Sequence, residues 1–196
     1  MIFSILGCFR MKYLVEEKYV HEFLDLDETD YMVGHDDGSQ IEFLSPFRYY
    51  VNQSYGYKRE KKDLHYNNIP LPEFWGVYPD GFNGMVMDKY IRKANIYFKE
   101  PIIKRYVKSV EWFEEERVYR RDVYDCYGVK YYSEYLNNDG DLTNVIYYGK
   151  DGKEVVIYQP KNEVFFLLEN GMVNQVMYSY KDFFMLFLED LNNDGI

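Results

Sequence analysis

The sequence predicts an α+β chain dominated by an extended antiparallel β-meander with flanking helices. Three observations lead to this fold class. Short stretches of β-forming residues alternate with acidic and glycine-containing breaks between residues 92 and 180. Tyr, a good strand former, occurs 23 times. Stretches near both ends of the chain carry apolar residues at helical spacing instead.

The breaks between the expected strands contain the residues that tight turns require. They fall at residues 114–116, 125–128, 138–140, 150–152 and 169–171. Asp-Gly and Asn-Gly pairs reach the positive φ of hairpin turns at little energetic cost. Consecutive strands should therefore pair with each other in one sheet. Such a meander offers a platform for binding more readily than a pocket for catalysis.

The first expected element is a helix over residues 11–24, where charged residues separate the apolar ones. The segment from Ser45 to Val51 is interpreted as strand-like, with Pro46 tolerable at the beginning of a strand. Residues 52–68 are expected to be loop. Two prolines make residues 69–75 an extended segment, and we expect it to anchor Phe74 and Trp75 in apolar surroundings.

The strands differ in how strictly their side chains alternate. Residues 92–99 alternate cleanly, whereas residues 129–135 place Tyr on both faces, which predicts that neither face is fully dry there. Residues 164–168 are apolar throughout and should form the most buried strand. The expected core of the meander is Ile96, Phe98, Val107, Val155, Ile157, Phe165, Phe166 and Leu167.

The last expected element is an amphipathic helix over residues 180–191. Ser179 and Asp182 have the spacing of a capping box. An apolar stripe follows at helical spacing, formed by Phe184, Phe187, Leu188 and Leu191.

Composition argues against several classes of partner. The chain carries 33 acidic and 23 basic residues, a net charge of −10, which disfavours nucleic acid and simple docking onto anionic lipid. The first nine residues are apolar but lack the basic start of a signal peptide and are too short to span a bilayer. The two cysteines do not suggest a cross-linked secreted scaffold. We expect a cytoplasmic location, with at most a peripheral position at the inner face of the cell membrane.

The residues that usually carry catalysis form no constellation. His21, His35 and His65 lie in separate segments without metal-ligand spacing, and no phosphate-binding glycine motif occurs. We therefore predict no catalytic residue, no metal and no cofactor. Binding is the stronger prediction, because residues 104–112 mix aromatic and charged side chains in a manner that suits an extended peptide or a sugar.

Three aromatic residues are the candidates for contact with an acceptor or a partner protein: Trp75, Tyr106 and Trp112. The alternative is an ordinary amphipathic strand with these rings in the core. Replacement of Trp112 by Ala separates the two interpretations, since a contact residue would lose binding and a core residue would lose stability.

Several local motifs together resemble a known family. They are Ser-Pro-Phe-Arg-Tyr-Tyr at 45–50, Ile-Pro-Leu-Pro-Glu-Phe-Trp at 69–75, Ser-Val-Glu-Trp at 109–112, Asp-Val-Tyr-Asp-Cys-Tyr-Gly at 122–128, Tyr-Leu-Asn-Asn-Asp-Gly at 135–140 and Gly-Lys-Glu-Val at 152–155. This series resembles the N-terminal half of the glycosylation chaperone of the accessory Sec system in Gram-positive bacteria. The resemblance covers roughly residues 30–191, and its most specific piece is the proline-containing segment before Trp75.

The resemblance implies a non-catalytic subunit that stabilises the enzyme placing N-acetylglucosamine on Ser and Thr of serine-rich repeat adhesins. It implies a two-lobed, GT-B-like fold with an inserted sheet, and two partners: the catalytic glycosyltransferase subunit and the Ser/Thr-rich acceptor. The expected domains are 1–45, a partial N-terminal α/β lobe; 46–178, the extended sheet; and 179–196, a helix returning to a truncated lobe. The first 30 residues match the family poorly, and we expect this sequence not to include the family's C-terminal lobe.

Two alternatives remain open from the sequence. The chain could be the same inserted domain of the catalytic subunit, or a free-standing β-hairpin binding module. The proline-containing segment and the final helix do not recur along the chain, which counts against a module built of repeats.

Overall fold

The computed structural model describes residues 12–19, 31–39, 43–56 and 59–194. Two short strands, β1 and β2, pair in parallel, and ten further strands form one antiparallel sheet that two helices cover in part. The elements in chain order are β1 Tyr13–Val15, β2 Tyr31–Val33, α1 Pro46–Tyr55, β3 Trp75–Asp80, β4 Asn83–Asp88, β5 Ile91–Phe98, β6 Val107–Glu114, β7 Arg117–Tyr124, β8 Lys130–Leu136, β9 Leu142–Tyr148, β10 Glu154–Gln159, β11 Val164–Glu169, β12 Met172–Met177 and α2 Tyr180–Asn193.

The order of the ten strands in the sheet is their order in the chain, from β3 at one edge to β12 at the other. The predicted meander and α+β class are thus confirmed. The sheet starts at Trp75, so the meander itself includes two hairpin strands, β3 and β4, that precede the first strand assigned from the sequence. Neither helix in the described part of the chain has the length and apolar character needed to cross a lipid bilayer.

The two faces of the sheet carry separate hydrophobic clusters. Residues directly opposite each other on paired strands share a face, and neighbours along a strand alternate. Ile96 and its partner Val110 lie on one face of the sheet. We call it the proline face, because the proline-containing segment covers it. Val145, Tyr158 and Phe165 define the other side, here the helical face, where α1 and α2 pack.

Helix α2 confirms the prediction for the end of the chain. The Ser179 side chain accepts a hydrogen bond from the Asp182 backbone N–H at 3.0 Å, which caps the helix. Its apolar stripe, on which Phe183, Phe184 and Phe187 are fully buried, seals the helical face of β11 and β12.

The predicted strand at residues 45–51 is wrong, because Pro46 begins helix α1. The Ser45 hydroxyl accepts from the Arg48 backbone N–H at 3.0 Å. A serine N-cap followed by proline at the first helical position is a strong helix start, since proline lacks only a donor that would have no helical partner there. The helix ends at Gly56, whose φ of 61° is the left-handed conformation that glycine adopts readily.

The predicted helix at residues 11–24 is also wrong for most of the part that the structure describes, in which only residues 17–19 form a single 3-10 turn. Residues 13–15 form β1, which pairs in parallel with β2, and Tyr13 also bridges to Leu44. Leu14 and Val15 are both buried although they are adjacent, so neighbouring segments cover both faces of this strand. Tertiary pairing therefore overrides the helical spacing of the side chains. Residues 11 and 20–24 lie outside the described residues.

A buried ionic group joins α1 to the sheet. Arg48 Nη2 lies 2.6 Å from Asp36 Oδ1, and the Tyr131 hydroxyl donates to Asp36 Oδ2 at 2.9 Å. Asp36, Arg48 and Tyr131 are each less than a tenth exposed. Because a buried charge without its partner is strongly destabilising, this group fixes the position of α1 over β8.

The bulges in the sheet account for the errors in assigning strand faces. Tyr132 pairs with Val123 and Lys130 with Tyr124, so Tyr131 is an extra residue in β8 and is buried together with Tyr132. The burial is local, because Glu134 on the helical face and Tyr135 on the proline face are partly exposed, so the prediction that neither face is fully dry holds toward the end of β8.

The predicted list of core residues is confirmed in part. Five of the predicted core side chains are buried: Ile96, Val107, Val155, Phe165 and Leu167. Phe98 packs against the core of the proline face and is partly buried. Ile157 and Phe166 are paired on the proline face, where the cover ends, and are partly exposed. Strand β11 therefore has one buried face rather than two.

Candidate functional site

The candidate site lies on the proline face, where one segment, residues 64–72, covers strands β3 to β7; it is extended apart from a single 3-10 turn at Tyr66–Asn68. The Val107 backbone N–H donates to the Leu64 carbonyl at 2.8 Å, and the Tyr66 N–H donates to the Arg105 carbonyl at 3.2 Å. Ile69 is buried against the sheet, with Leu64 and Leu71 beside it. The segment therefore covers the sheet with one row of side chains and leaves space next to it.

The segment then turns sharply into strand β3. The Trp75 N–H donates to the Pro72 carbonyl at 3.2 Å, and Phe74 has a φ of 71°. The Phe74 ring is 85% exposed, so the prediction that it anchors in apolar surroundings is wrong. Trp75 does pack against the cluster of the proline face and is half-buried.

The Trp75 ring is positioned by another indole and a cation. Its centroid lies 6.5 Å from that of Trp112, and Lys93 Nζ is 5.5 Å from the Trp75 ring centroid. A lysine at this distance from an indole is within cation–π range. Trp75 thus presents part of its ring to solvent while packing fixes its orientation.

Trp112 is a buried residue of this face, with 6% exposure. Its Nε1 donates to Asp122 Oδ2 at 2.7 Å, and Arg120 Nε lies 3.3 Å from the other carboxylate oxygen. The Ser133 hydroxyl also donates to this buried carboxylate. The contacts of Trp112 are those of a core residue, so it forms part of the floor of the site.

Tyr106 lies apart from the two indoles. It is half-buried immediately before β6, and its backbone bridges to His65 in the covering segment. It is not among the residues that line either cleft described below. The structure therefore brings together two of the three candidate residues, Trp75 and Trp112, and leaves Tyr106 outside the cleft.

Two open clefts meet at Trp75 and Tyr119, which line both. The first has a volume of about 620 Å³ and includes Pro70, Pro72 and Trp112 in its lining. The second, of about 920 Å³, is lined by the exposed Tyr90 and by charged side chains, which are Arg92, Lys93, Glu114, Glu115 and Glu116. We call the two together the aromatic cleft.

The aromatic cleft offers flat apolar surface and polar tips but no reactive group. Burial, with the nearby Asp122 carboxylate, raises the pKa of Tyr124, so this hydroxyl stays protonated at neutral pH. Among the described residues, no three potential metal-ligating side chains are grouped closely enough to hold an ion. Rings and prolines of this kind suit an extended peptide or a sugar face.

The sequence did not single out Tyr119 and Arg120, which complete the cleft. Trp112 pairs with Arg120 and Phe113 with Val118, so Tyr119 is the extra residue of a bulge and packs on the proline face beside Arg120. Strict alternation would have placed these two neighbours on opposite faces. In the sequence, only the closeness of an arginine to a tryptophan or a tyrosine on strands expected to pair could have indicated these two residues.

The same strands carry a paired polar surface on the other side. Arg121 donates to Glu111 at 2.9 Å and also bonds Glu134, and the Tyr97 hydroxyl donates to Glu111 at 2.7 Å. Burial, together with the hydrogen bond to Glu111, raises the pKa of Tyr97. These charges are satisfied by one another within the sheet, whereas the aromatic cleft on the proline face keeps the Trp75 ring half-exposed.

The fold is an extended antiparallel sheet with an open aromatic cleft on one face. Within that class, the chain belongs to the GtfB middle domain family, whose model matches residues 75–180, more than half of the chain. The resemblance inferred from the motifs is thereby confirmed. The matched residues are the ten strands and the start of α2.

Curated relatives and solved structures agree with this family. Two relatives named UDP-N-acetylglucosamine–peptide N-acetylglucosaminyltransferase stabilizing protein GtfB come from Streptococcus agalactiae and Streptococcus pneumoniae serotype 4. The first is 29% identical over 58% of this chain and 25% of its own length. The second is 26% identical over 93% of this chain and 41% of its own length. The chain thus spans between a quarter and about two fifths of these relatives.

Among solved structures, the fold resembles the crystal structure of a GtfA/B complex bound to UDP and GlcNAc. The TM-score is 0.72 at 23% identity, covering 83% of this chain and 36% of that one. A Glycosylation Associate Protein (Gap123) complex from Streptococcus agalactiae gives a TM-score of 0.61 at 14% identity, covering 90% of this chain and 32% of that one. At such identities the likeness shows the fold alone.

Proposed function

We propose that this chain is part of a non-catalytic subunit that stabilises a protein O-glycosyltransferase. The enzyme in question adds N-acetylglucosamine to Ser and Thr of serine-rich repeat adhesins. The observation that carries the proposal is the match of the GtfB middle domain family to the whole ten-stranded sheet. The relatives that support it are named as stabilizing proteins of the transferase rather than as the transferase. We favour this over the domain of a catalytic subunit or a free-standing module.

The partners follow from the same proposal. One is the catalytic glycosyltransferase subunit, for which the GtfA/B complex among the structural neighbours is a precedent. The other is the Ser/Thr-rich acceptor protein. We place the complex in the cytoplasm, with at most a peripheral position at the inner face of the membrane. We also propose that residues up to 45 and from 179 belong to a neighbouring lobe, and that the sheet is a domain of its own.

Within this function the aromatic cleft is the proposed contact surface for the acceptor or the partner. Trp75 is the proposed direct contact, because its ring is half-exposed and held in place by Trp112 and Lys93. Tyr106 is a proposed contact at the margin of the site. Trp112 acts by supporting Trp75 from below, since only 6% of it is exposed.

Co-expression with the catalytic subunit, followed by pull-down through a tag on this chain, tests the proposal. We expect a soluble complex that contains both proteins. A chain that stays soluble but never retains the enzyme would contradict the stabilising role.

Trp75→Ala then tests the surface, with Ile103→Ala as the control at an 87% exposed side chain away from the cleft. We expect Trp75→Ala to weaken binding of the enzyme or of a Ser/Thr-rich acceptor peptide, and the control to bind normally. Equal binding of both variants would remove the cleft from the proposal while leaving the stabilising function in place.

A further inference from the structure

The two edges of the ten-stranded sheet differ in how they are protected against pairing with another strand. Edge strands expose unpaired N–H and C=O groups, and proteins commonly block them with proline or charge. Strand β3 follows this rule, because Pro79 removes a donor and Asp80 adds a charge. Strand β12 has the sequence Met-Val-Asn-Gln-Val-Met, without proline, glycine or charge.

Strand β12 has the composition of an interior strand. Among the ten strands only β9 and β12 lack a charged residue, and β9 is paired on both sides. On β12 the side chains of Met172, Val173 and Val176 are 72%, 53% and 38% exposed. No described residue pairs with its outer edge.

The side chains of this edge continue an apolar stripe across the sheet. Val176 pairs with Phe166, which pairs with Ile157, and the row lies on the proline face beyond its cover. A strand added to β12 with apolar residues in the same positions would extend this stripe. The unpaired backbone edge thus requires an occupant in strand conformation. The apolar stripe favours an occupant with apolar side chains in the matching positions.

The sequence of β12 is a palindrome in chemical type, which identifies one such occupant. Met172 matches Met177, Val173 matches Val176, and Asn174 matches Gln175. If two copies of β12 pair in antiparallel register about a two-fold axis, each residue meets its match in the other copy. Such isologous contacts require a surface that is complementary to itself.

The bulge in β12 makes this register geometrically possible. Directly opposed residues must share a face, and in a regular strand residues 173 and 176 would lie on opposite faces. Here Leu167 pairs with Gln175 and Leu168 with Val173, so Asn174 is an extra residue. Val173 and Val176 therefore share the proline face, while Met172 and Met177 share the helical face.

Charge also favours a second copy as the occupant. Each chain has a net charge of −10, and like charges opposite each other destabilise paired strands. The uncharged β12 is an edge at which two acidic chains can meet without opposing carboxylates. We propose that β12 is a self-association edge, through which two copies of this chain join their sheets into one.

Sedimentation velocity over a concentration series of the 196-residue chain tests the proposal. We expect a reversible dimer with a dissociation constant on the order of 10–100 µM, because a six-residue strand pair is smaller than a standard interface. If the chain remains a monomer at every concentration up to the millimolar range, the proposed self-association is wrong.

Substitutions then locate the interface and its register. Val176→Lys places a charge against Val173 of the second copy and should raise the dissociation constant at least about tenfold. Tyr78→Lys on the opposite edge, at a side chain of similar exposure, is the matched control and should leave it unchanged. A dimer that responds equally to both, or to neither, would contradict the assignment to β12.

A double variant provides a positive test that loss of folding cannot imitate. In Val173→Lys/Val176→Glu, the two-fold register sets each introduced lysine opposite an introduced glutamate, and the dimer should return at low salt. In Val173→Lys/Val176→Lys the lysines oppose each other, and the chain should stay monomeric. Failure of the first pair to associate better than the second would overturn the proposed register.

Discussion

The helical and proline faces of one continuous sheet are covered in different ways. On the helical face, Phe165 stacks on Phe183 with ring centroids 4.9 Å apart, and both rings are completely buried. On the proline face the fully buried side chains are smaller, as with Val86, Ala94 and Ile96. The first face is sealed by rings from two helices, and the second is covered by a single extended segment.

This difference explains why the proposed binding surface lies on the proline face. A helix presents side chains from successive turns to the sheet and fills the space across several strands. An extended segment with prolines presents one row and cannot fill the space on either side of it. Thinner cover therefore costs stability and creates the aromatic cleft.

The largest expected effect comes from a ring in the sealed face. Phe183→Ala should lower the free energy of unfolding by about 3–5 kcal/mol, because Phe183 is fully buried among Phe47, Tyr50 and Phe165. Urea unfolding followed by circular dichroism measures the change. The control is Phe166→Ala, a partly exposed ring on the other face, for which we expect about half that loss or less. Equal losses would mean that the two faces do not differ in cover.

Trp112→Ala should have the next largest effect, and it tests whether Trp112 is a core residue or a contact residue. We expect a loss of about 3 kcal/mol in unfolding free energy, because the indole is buried and its N–H satisfies Asp122. Trp112→Phe should keep most of the packing and lose about 1–2 kcal/mol by leaving the buried carboxylate with one donor fewer. If Trp112→Ala unfolds at the wild-type urea concentration while binding falls, the residue is a contact as the sequence suggested.

The sequence patterns predicted some features of the sheet and not others. The meander was predictable because Asp-Gly and Asn-Gly turns and strand formers report local conformation. The face of each side chain was predictable only where strands are regular, as at Ala94 and Ile96. Bulges near Tyr119 and Tyr131 shift the alternation by one residue, and nothing in the local sequence marks them.

Helix α1 and strand β1 teach a related point about the N-terminal part of the chain. Ser45 and Pro46 form a helix start that local chemistry could have identified, since the hydroxyl acceptor and the missing N–H both favour it. The strand at Tyr13–Val15 could not have been identified in this way, because its partner lies at Tyr31–Val33. The aromatic cleft likewise depends on contacts between Trp75 and strands that are distant in sequence.

Trp75→Ala sharpens the contrast from the exposed side. The half-buried ring should contribute about 1–2 kcal/mol to unfolding free energy, less than Trp112, because part of it stays in water. Its loss should reduce binding at the cleft more than it reduces stability. Paired measurements of urea unfolding and of pull-down yield separate the two effects. A loss as large as that of Trp112→Ala would place Trp75 in the core and leave Tyr90 as the exposed ring of the cleft.

The smallest effect concerns the attachment of β2 to the helical face, and it depends on pH. His35 Nδ1 lies 3.0 Å from Glu16 Oε1, and Nε2 lies 3.0 Å from the Tyr132 hydroxyl. The hydrogen bond with Glu16 raises the pKa of His35 above its ordinary 6.5, although burial opposes this, and Asp36 and Asp37 add to the rise. The charged imidazole is thus favoured in the folded state.

A raised folded-state pKa fixes the sign of the pH dependence. The stabilisation is complete below pH 6.5, the unfolded value, and is lost as pH rises through the folded-state pKa. Because the His35 side chain is 54% exposed, the contribution should stay below about 1 kcal/mol. Unfolding free energies at pH 6 and pH 8 should differ less in His35→Gln than in the wild type, whereas His65→Gln should keep the wild-type difference. An unchanged difference in His35→Gln would show that the proton linkage lies elsewhere, and the two faces would then differ in packing alone.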